Sequence, residues 1–253
     1  MLKEIIIAIQ GYIKAHQFVR AHKLWKWIII PGIIYTILFI VSLYYFGKTA
    51  NLFIGWISSI TGLTNWLGRM QDGFLGFLFA LSGLFFWLSQ MLLYFSLFKY
   101  IWLILGSPVF AYLSEKTEAI IQGKEYHIDY NQLRRDALRG CGIAVRNALW
   151  QTVYMVTILL LTLIPLVGWA TPLFAVLVDC YYFGFSMLDY RSERKNISPS
   201  ESIYFIGSHR GLAIGNGLVF YLMHPVIIIA PAYAIIAATL SMHEVEKANL
   251  KMR

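Results

Sequence analysis

Lys23 and Lys26 stand three residues apart in "KLWK", just ahead of a long charge-free run. Two ammonium groups in the basic segment ahead of such a run suit anchorage to anionic lipid. Leu24 and Trp25 belong to the same stretch. Arg135, Arg139 and Arg146 fall on one helix face, four and seven residues apart. That face suits first the positive charge that membrane proteins keep inside, with an anion path on the cytoplasmic side as the alternative. Asp179 follows the stretch 147–178, which holds no Asp, Glu, Lys, Arg or His. A carboxylate there can relay a proton or pair with a cation from a neighbouring chain. Glu115, Lys116 and Glu118 have the spacing of a solvated helix with local ion pairs. His224, beside Pro225, suits the capping of broken backbone.

Enzymatic chemistry has no visible carriers. HExxH, CxxC and GxSxG are absent from the sequence, and "GLAIGNG" follows no strand and so is not a nucleotide loop. No metal and no cofactor is implied. Cys141 and Cys180 are too few for a disulfide framework and read as reduced.

The composition decides the class. Of 253 residues, 58% are apolar, 16% aromatic and only 13% charged, against about 25% charged in soluble domains. The chain therefore reads as an all-α integral membrane protein. Its net charge of +8 then means basic loops at the cytoplasmic face. No RNA-binding motif or zinc-finger spacing points to a nucleic-acid partner.

The elements follow as one membrane domain. Residues 1–26 read as a basic amphipathic helix in the headgroup region. A charge-free run over 27–47 supplies the first crossing, because a span needs roughly 20 apolar residues. Residues 48–72 read as an interfacial loop with a short helix around Trp56. The second crossing is 73–105, with Lys99 snorkelling at its end and a break expected at Gly106-Ser107-Pro108. Residues 107–146 read as two cytoplasmic helices joined near Gly123. Two helical hairpins follow, 147–190 and 211–243, each interrupted by two prolines: Pro165 and Pro172, then Pro225 and Pro231. Their apolar tips and the short arm 211–223 predict partial insertion. Broken backbone at that depth must be buried in protein or line a wet cavity, which predicts packing against other helices and a homo-oligomer.

Of the 21 Lys and Arg residues, five precede Trp27, and only Lys48 and Arg69 lie between the two crossings. Hairpins that return to their starting side then place both termini in the cytoplasm. The N-terminus has no signal-peptide plan and is expected to stay on the protein.

The order of these elements, with "SPVFAYLSEKTEAIIQGK" (107–124), "LIPLVGW" (163–169), "LDY" (188–190) and "GNGLVFYLMHPVIIIAP" (215–231), resembles the CysZ sulfate-permease family, grouped with the etoposide-induced 2.4 proteins. The resemblance covers nearly the whole chain. It implies an oligomeric protein of the bacterial-type inner membrane that admits sulfate for cysteine synthesis. It also implies a sulfate site just before the first crossing, where the family shows Gly-Leu-Arg-Arg. Here Lys23 takes the place of the glycine, Leu24 is kept, and Trp25 and Lys26 replace the arginines. Arginine binds oxyanions bidentately and lysine acts as a point charge, so a related small oxyanion is an alternative substrate. A non-transporting scaffold or lipid-interacting protein is the alternative function.

Overall fold

The computed structural model describes residues 1–61, 74–124, 130–162, 164, 166–192, 197–223, 226 and 228–251. These residues are helical, with no strand among them. Helix α1 is Leu2–Ala21 and α2 is Trp25–Thr61. Helix α3 is Phe74–Ile121 and α4 is Tyr130–Thr162. A 3-10 turn at Val167–Trp169 leads into α5, Thr171–Ser192. Then come α6 (Pro199–Ser208), α7 (Arg210–Met223) and α8 (Ala230–Lys251). Pro172 and Pro231 are second in their helices, where a missing N–H costs nothing. Pro165, His224 and Pro225 lie outside the described residues.

Among the described residues three helical stretches are long and apolar enough to cross a membrane: Trp25–Thr49, Arg134–Thr162 and Thr171–Ser192. Length separates the two hairpins. The arms of the first, with 29 and 22 residues, reach about 44 and 33 Å at 1.5 Å per residue. The 14 residues of α7 reach only about 21 Å, short of the roughly 30 Å core.

Three expectations are corrected. The 48–72 segment is not a loop from Lys48: α2 continues through Trp56 to Thr61, and 62–72 lie outside the described residues. The break at Gly106-Ser107-Pro108 is absent, for α3 carries Pro108 inside it. A proline deprives the carbonyl four residues earlier of its donor. That carbonyl, on Ile104, accepts instead from the Cys141 thiol at 3.7 Å, and the neighbouring Leu103 carbonyl accepts from the Tyr190 hydroxyl at 3.3 Å. Lys99 does not snorkel; it is only 3% exposed.

The chain forms two compact units. The first comprises Met1–Thr36, Tyr100–Leu149 and Asp179–Arg253. In it α1 packs on α7 and α8 through Ala8, Gly11, Tyr12, Ala15 and Val19. The Tyr12 hydroxyl donates to the Asn216 carbonyl at 2.8 Å. The opposite face of α1 leaves Leu2, Ile6, Ile9 and Ile13 exposed, a stripe at helical spacing. Helix α8 is buried nearly all round from Ala230 to Thr239, as expected of a helix apolar on every side. Gly217 of α7 and Gly184 of α5 permit backbone contact: a Cβ on Gly217 would come within 2.6 Å of the Cys180 Cα, and one on Gly184 within 3.0 Å of the Ala213 Cα.

The second unit comprises Ile37–Lys99 and Trp150–Val178. Met155, Ile158 and Ala175 form its core, with Leu92 and Val178 packed against them. Buried Gln151 donates to Ser96. The first hairpin tip closes on its own chain: the Thr162 and Thr171 hydroxyls meet at 2.8 Å, Thr171 donates to the Gly168 carbonyl at 2.6 Å, and the Gly168 N–H donates to the Ile164 carbonyl at 2.8 Å. Part of the broken backbone here is served by a local threonine.

Candidate functional site: a cationic turn before the first apolar helix

The "KLWK" residues form the turn between α1 and α2. Leu24 N–H bonds back to the Val19 carbonyl at 3.2 Å and Trp27 N–H to the Leu24 carbonyl at 3.1 Å. This leaves the first N–H groups of α2 without helical acceptors. Leu24 is buried and fixes the turn, while Lys23, Trp25 and Lys26 are exposed. Lys23 has φ 53°, in the left-handed region that costs an L-residue with a side chain roughly 1–2 kcal/mol and a glycine almost nothing. The backbone therefore keeps a glycine-type conformation at the position where the resembling family has glycine. His16 of α1 seats the turn: its ring stands edge-on to Trp25 at 6.5 Å, and its Nδ1 lies 2.9 Å from the Tyr233 hydroxyl.

Helix α3 brings Lys116 to the same end of α2. Its ammonium donates to the Tyr112 hydroxyl at 3.1 Å and lies 5.6 Å from the Trp27 ring. The sequence suggested a local ion pair for Lys116, and the structure gives it aromatic faces instead. Glu118 likewise turns away from Lys116. It accepts from Gln122 at 3.0 Å and from Arg191 Nε at 2.9 Å. Arg191, 1% exposed, also donates to Glu246 at 2.9 Å. Burial pushes the Glu118 carboxyl up, but the Arg191 hydrogen bond and charge outweigh it and hold the group below its ordinary range.

The three arginines of α4 do not share one environment. Arg135 is exposed. Arg139 donates to the Ile197 carbonyl at 2.6 Å and lies 3.5 Å from the Asp189 carboxylate. Asp189 also accepts from the Ser202 hydroxyl. Arg146 donates to Asn147 Oδ1 at 3.0 Å and sits over the Phe185 ring at 5.6 Å. Asp179 is buried and lies within electrostatic reach of the buried Tyr35 and Tyr100 hydroxyls. The Arg191 cluster escaped the sequence reading because its members come from 118, 191 and 246, with no local spacing to betray them. Among the described residues no His, Cys, Asp or Glu cluster is placed to hold a metal ion.

An all-helical architecture, helices fit to cross a bilayer and a cationic turn at the head of the first of them define a membrane protein. The chain belongs to the sulfate transporter CysZ/etoposide-induced protein 2.4 family, whose model matches residues 12–240. No curated protein matches the chain.

Proposed function

We propose that this protein is a permease or channel for sulfate or a related small oxyanion, working as a homo-oligomer in a bacterial-type inner membrane and feeding sulfur into cysteine synthesis. The observation that carries this reading is the α1–α2 turn. It keeps a left-handed backbone at Lys23, presents Lys23 and Lys26 to solvent, and stands within the family match. Open N–H groups and two cations together make an oxyanion cradle. The topology proposed with it has an interfacial α1, crossings at 27–47 and 73–105, two inserted hairpins, and both termini in the cytoplasm. The small number of cations between the crossings supports it. Exposed Arg135 marks the cytoplasmic side of the path, with Arg139 and Arg146 held beside it by Asp189 and Asn147, and Asp179 serves as proton relay or charge partner.

Reconstituted protein should carry labelled sulfate into liposomes, with competition by excess unlabelled sulfate. One observation favours a second reading, a lipid-interacting scaffold: the exposed Leu2, Ile6, Ile9 and Ile13 stripe on α1. That reading predicts no flux of any small oxyanion from protein that is folded and inserted.

A further inference from the structure

We propose that Lys116 of α3 is a third cation of the oxyanion site at the α1–α2 turn. The inference rests on the reading of that turn as the oxyanion site and adds a residue remote in sequence. Trp27 follows Lys26 directly, and its ring packs on Tyr112 with centroids 4.4 Å apart. The Lys116 ammonium lies 5.6 Å from the Trp27 centroid and 5.5 Å from that of Tyr112. Its bond to the Tyr112 hydroxyl, at 3.1 Å, fixes it further. The Trp27 contact thus sets Lys116 against the first turn of α2, which begins at Trp25.

Two features separate this lysine from a rivet between helices. First, its charge meets no carboxylate among the described residues. Elsewhere in the same unit Lys14 meets Glu244, Arg139 meets Asp189, and Arg191 meets Glu118 and Glu246. The cations of the turn, Lys23 and Lys26, likewise form no ion pair among the described residues. Second, the ammonium is held by ring faces and one hydroxyl, which leaves N–H donors for another acceptor. A lysine whose side chain is already ordered loses less entropy on binding than a free one. The ligand class is a small oxyanion dianion, for which lysines act as point charges.

The test measures binding of labelled sulfate to purified full-length protein, with the thermal midpoint followed in parallel. Lys116→Gln should weaken sulfate binding about tenfold or more, the loss expected for one hydrogen bond to a charged group. Lys116→Arg should restore most of the affinity. Tyr112→Phe, which frees the ammonium but keeps its charge, should weaken binding to a smaller degree. A structural rivet would lower the thermal midpoint and leave the affinity of the folded protein unchanged; that result overturns the proposal. Wild-type protein that binds sulfate while Lys116→Gln binds equally well contradicts Lys116 alone. Wild-type protein that neither binds nor transports sulfate overturns the functional reading, and the Lys116 proposal with it.

Discussion

Arg191 Nε stands 2.9 Å from Glu118 Oε2, joining the end of α5 to the end of α3 across a buried site. A buried pair is costly to form and costlier to halve, because removal of one partner strands the other charge. Glu118→Gln and Arg191→Met should each destabilise the protein by about 3–5 kcal/mol. Replacing both with apolar residues should recover part of the loss. Thermal unfolding in detergent, run as a double-mutant cycle, measures the coupling.

The same pair sets an acid response. The Glu118 carboxyl is held below its ordinary value, so its stabilisation is complete above the unfolded value and is lost as pH falls through the folded one. The gap in thermal midpoint between wild type and Glu118→Gln should be widest near neutrality. It should close on acidification below the ordinary glutamate range.

Helical periodicity and charge counts made the helices of this protein legible, because each depends on residues close together in sequence. The turn at 22–24 was not legible: residues 1–26 read as one helix, whereas α1 ends at Ala21 and α2 begins at Trp25. What else escaped depends on distant partners. Pro108 looked like a stop because nothing local signals that Cys141 and Tyr190 serve the carbonyls beside it. Lys116 looked like a member of a local ion pair, since the aromatic faces that hold it come partly from α2. Lys48 looked like the start of a loop, but α2 runs on beyond it, with its ammonium over the Tyr44 ring at 5.6 Å. Of the candidate site, the sequence supplied Lys23, Leu24, Trp25 and Lys26; the contact of Lys116 with Trp27 depends on the fold.

Lys23 gives a test of the turn. Its φ of 53° is strained for lysine and relaxed for glycine. Lys23→Gly should stabilise the protein by about 1 kcal/mol in thermal unfolding, while Lys23→Ala, which keeps the strain, should not. Both remove the charge, so both should weaken sulfate binding. A Lys23→Gly protein that is stabilised yet weaker in binding separates the backbone role from the electrostatic one.

Close packing of α7 on α5 gives another. Gly217→Ala and Gly184→Ala place a Cβ against backbone of the facing helix, and backbone cannot swing aside. Each should cost about 1–3 kcal/mol. Gly207→Ala is the control, since nothing lies within 4 Å of its added Cβ. Its thermal midpoint should stay level or rise, as alanine favours helix.

Asp179 tests the coupling. Buried carboxylates in membrane segments are expensive to keep. If Asp179 relays protons, Asp179→Asn should flatten the dependence of sulfate uptake on external pH while sulfate binding persists. Uptake with the wild-type pH profile removes Asp179 from the coupling.

If this chain moves a small oxyanion through a membrane by way of the Lys23–Lys26 turn, removing both charges must impair transport. Labelled sulfate uptake into liposomes, comparing wild type with the Lys23→Gln/Lys26→Gln double variant at matched insertion, tests it most directly. Wild-type uptake should be saturable and competed by unlabelled sulfate, and apparent KM should rise at least about tenfold in the double variant. Equal uptake by the two proteins, or no oxyanion flux from inserted wild type, would contradict it.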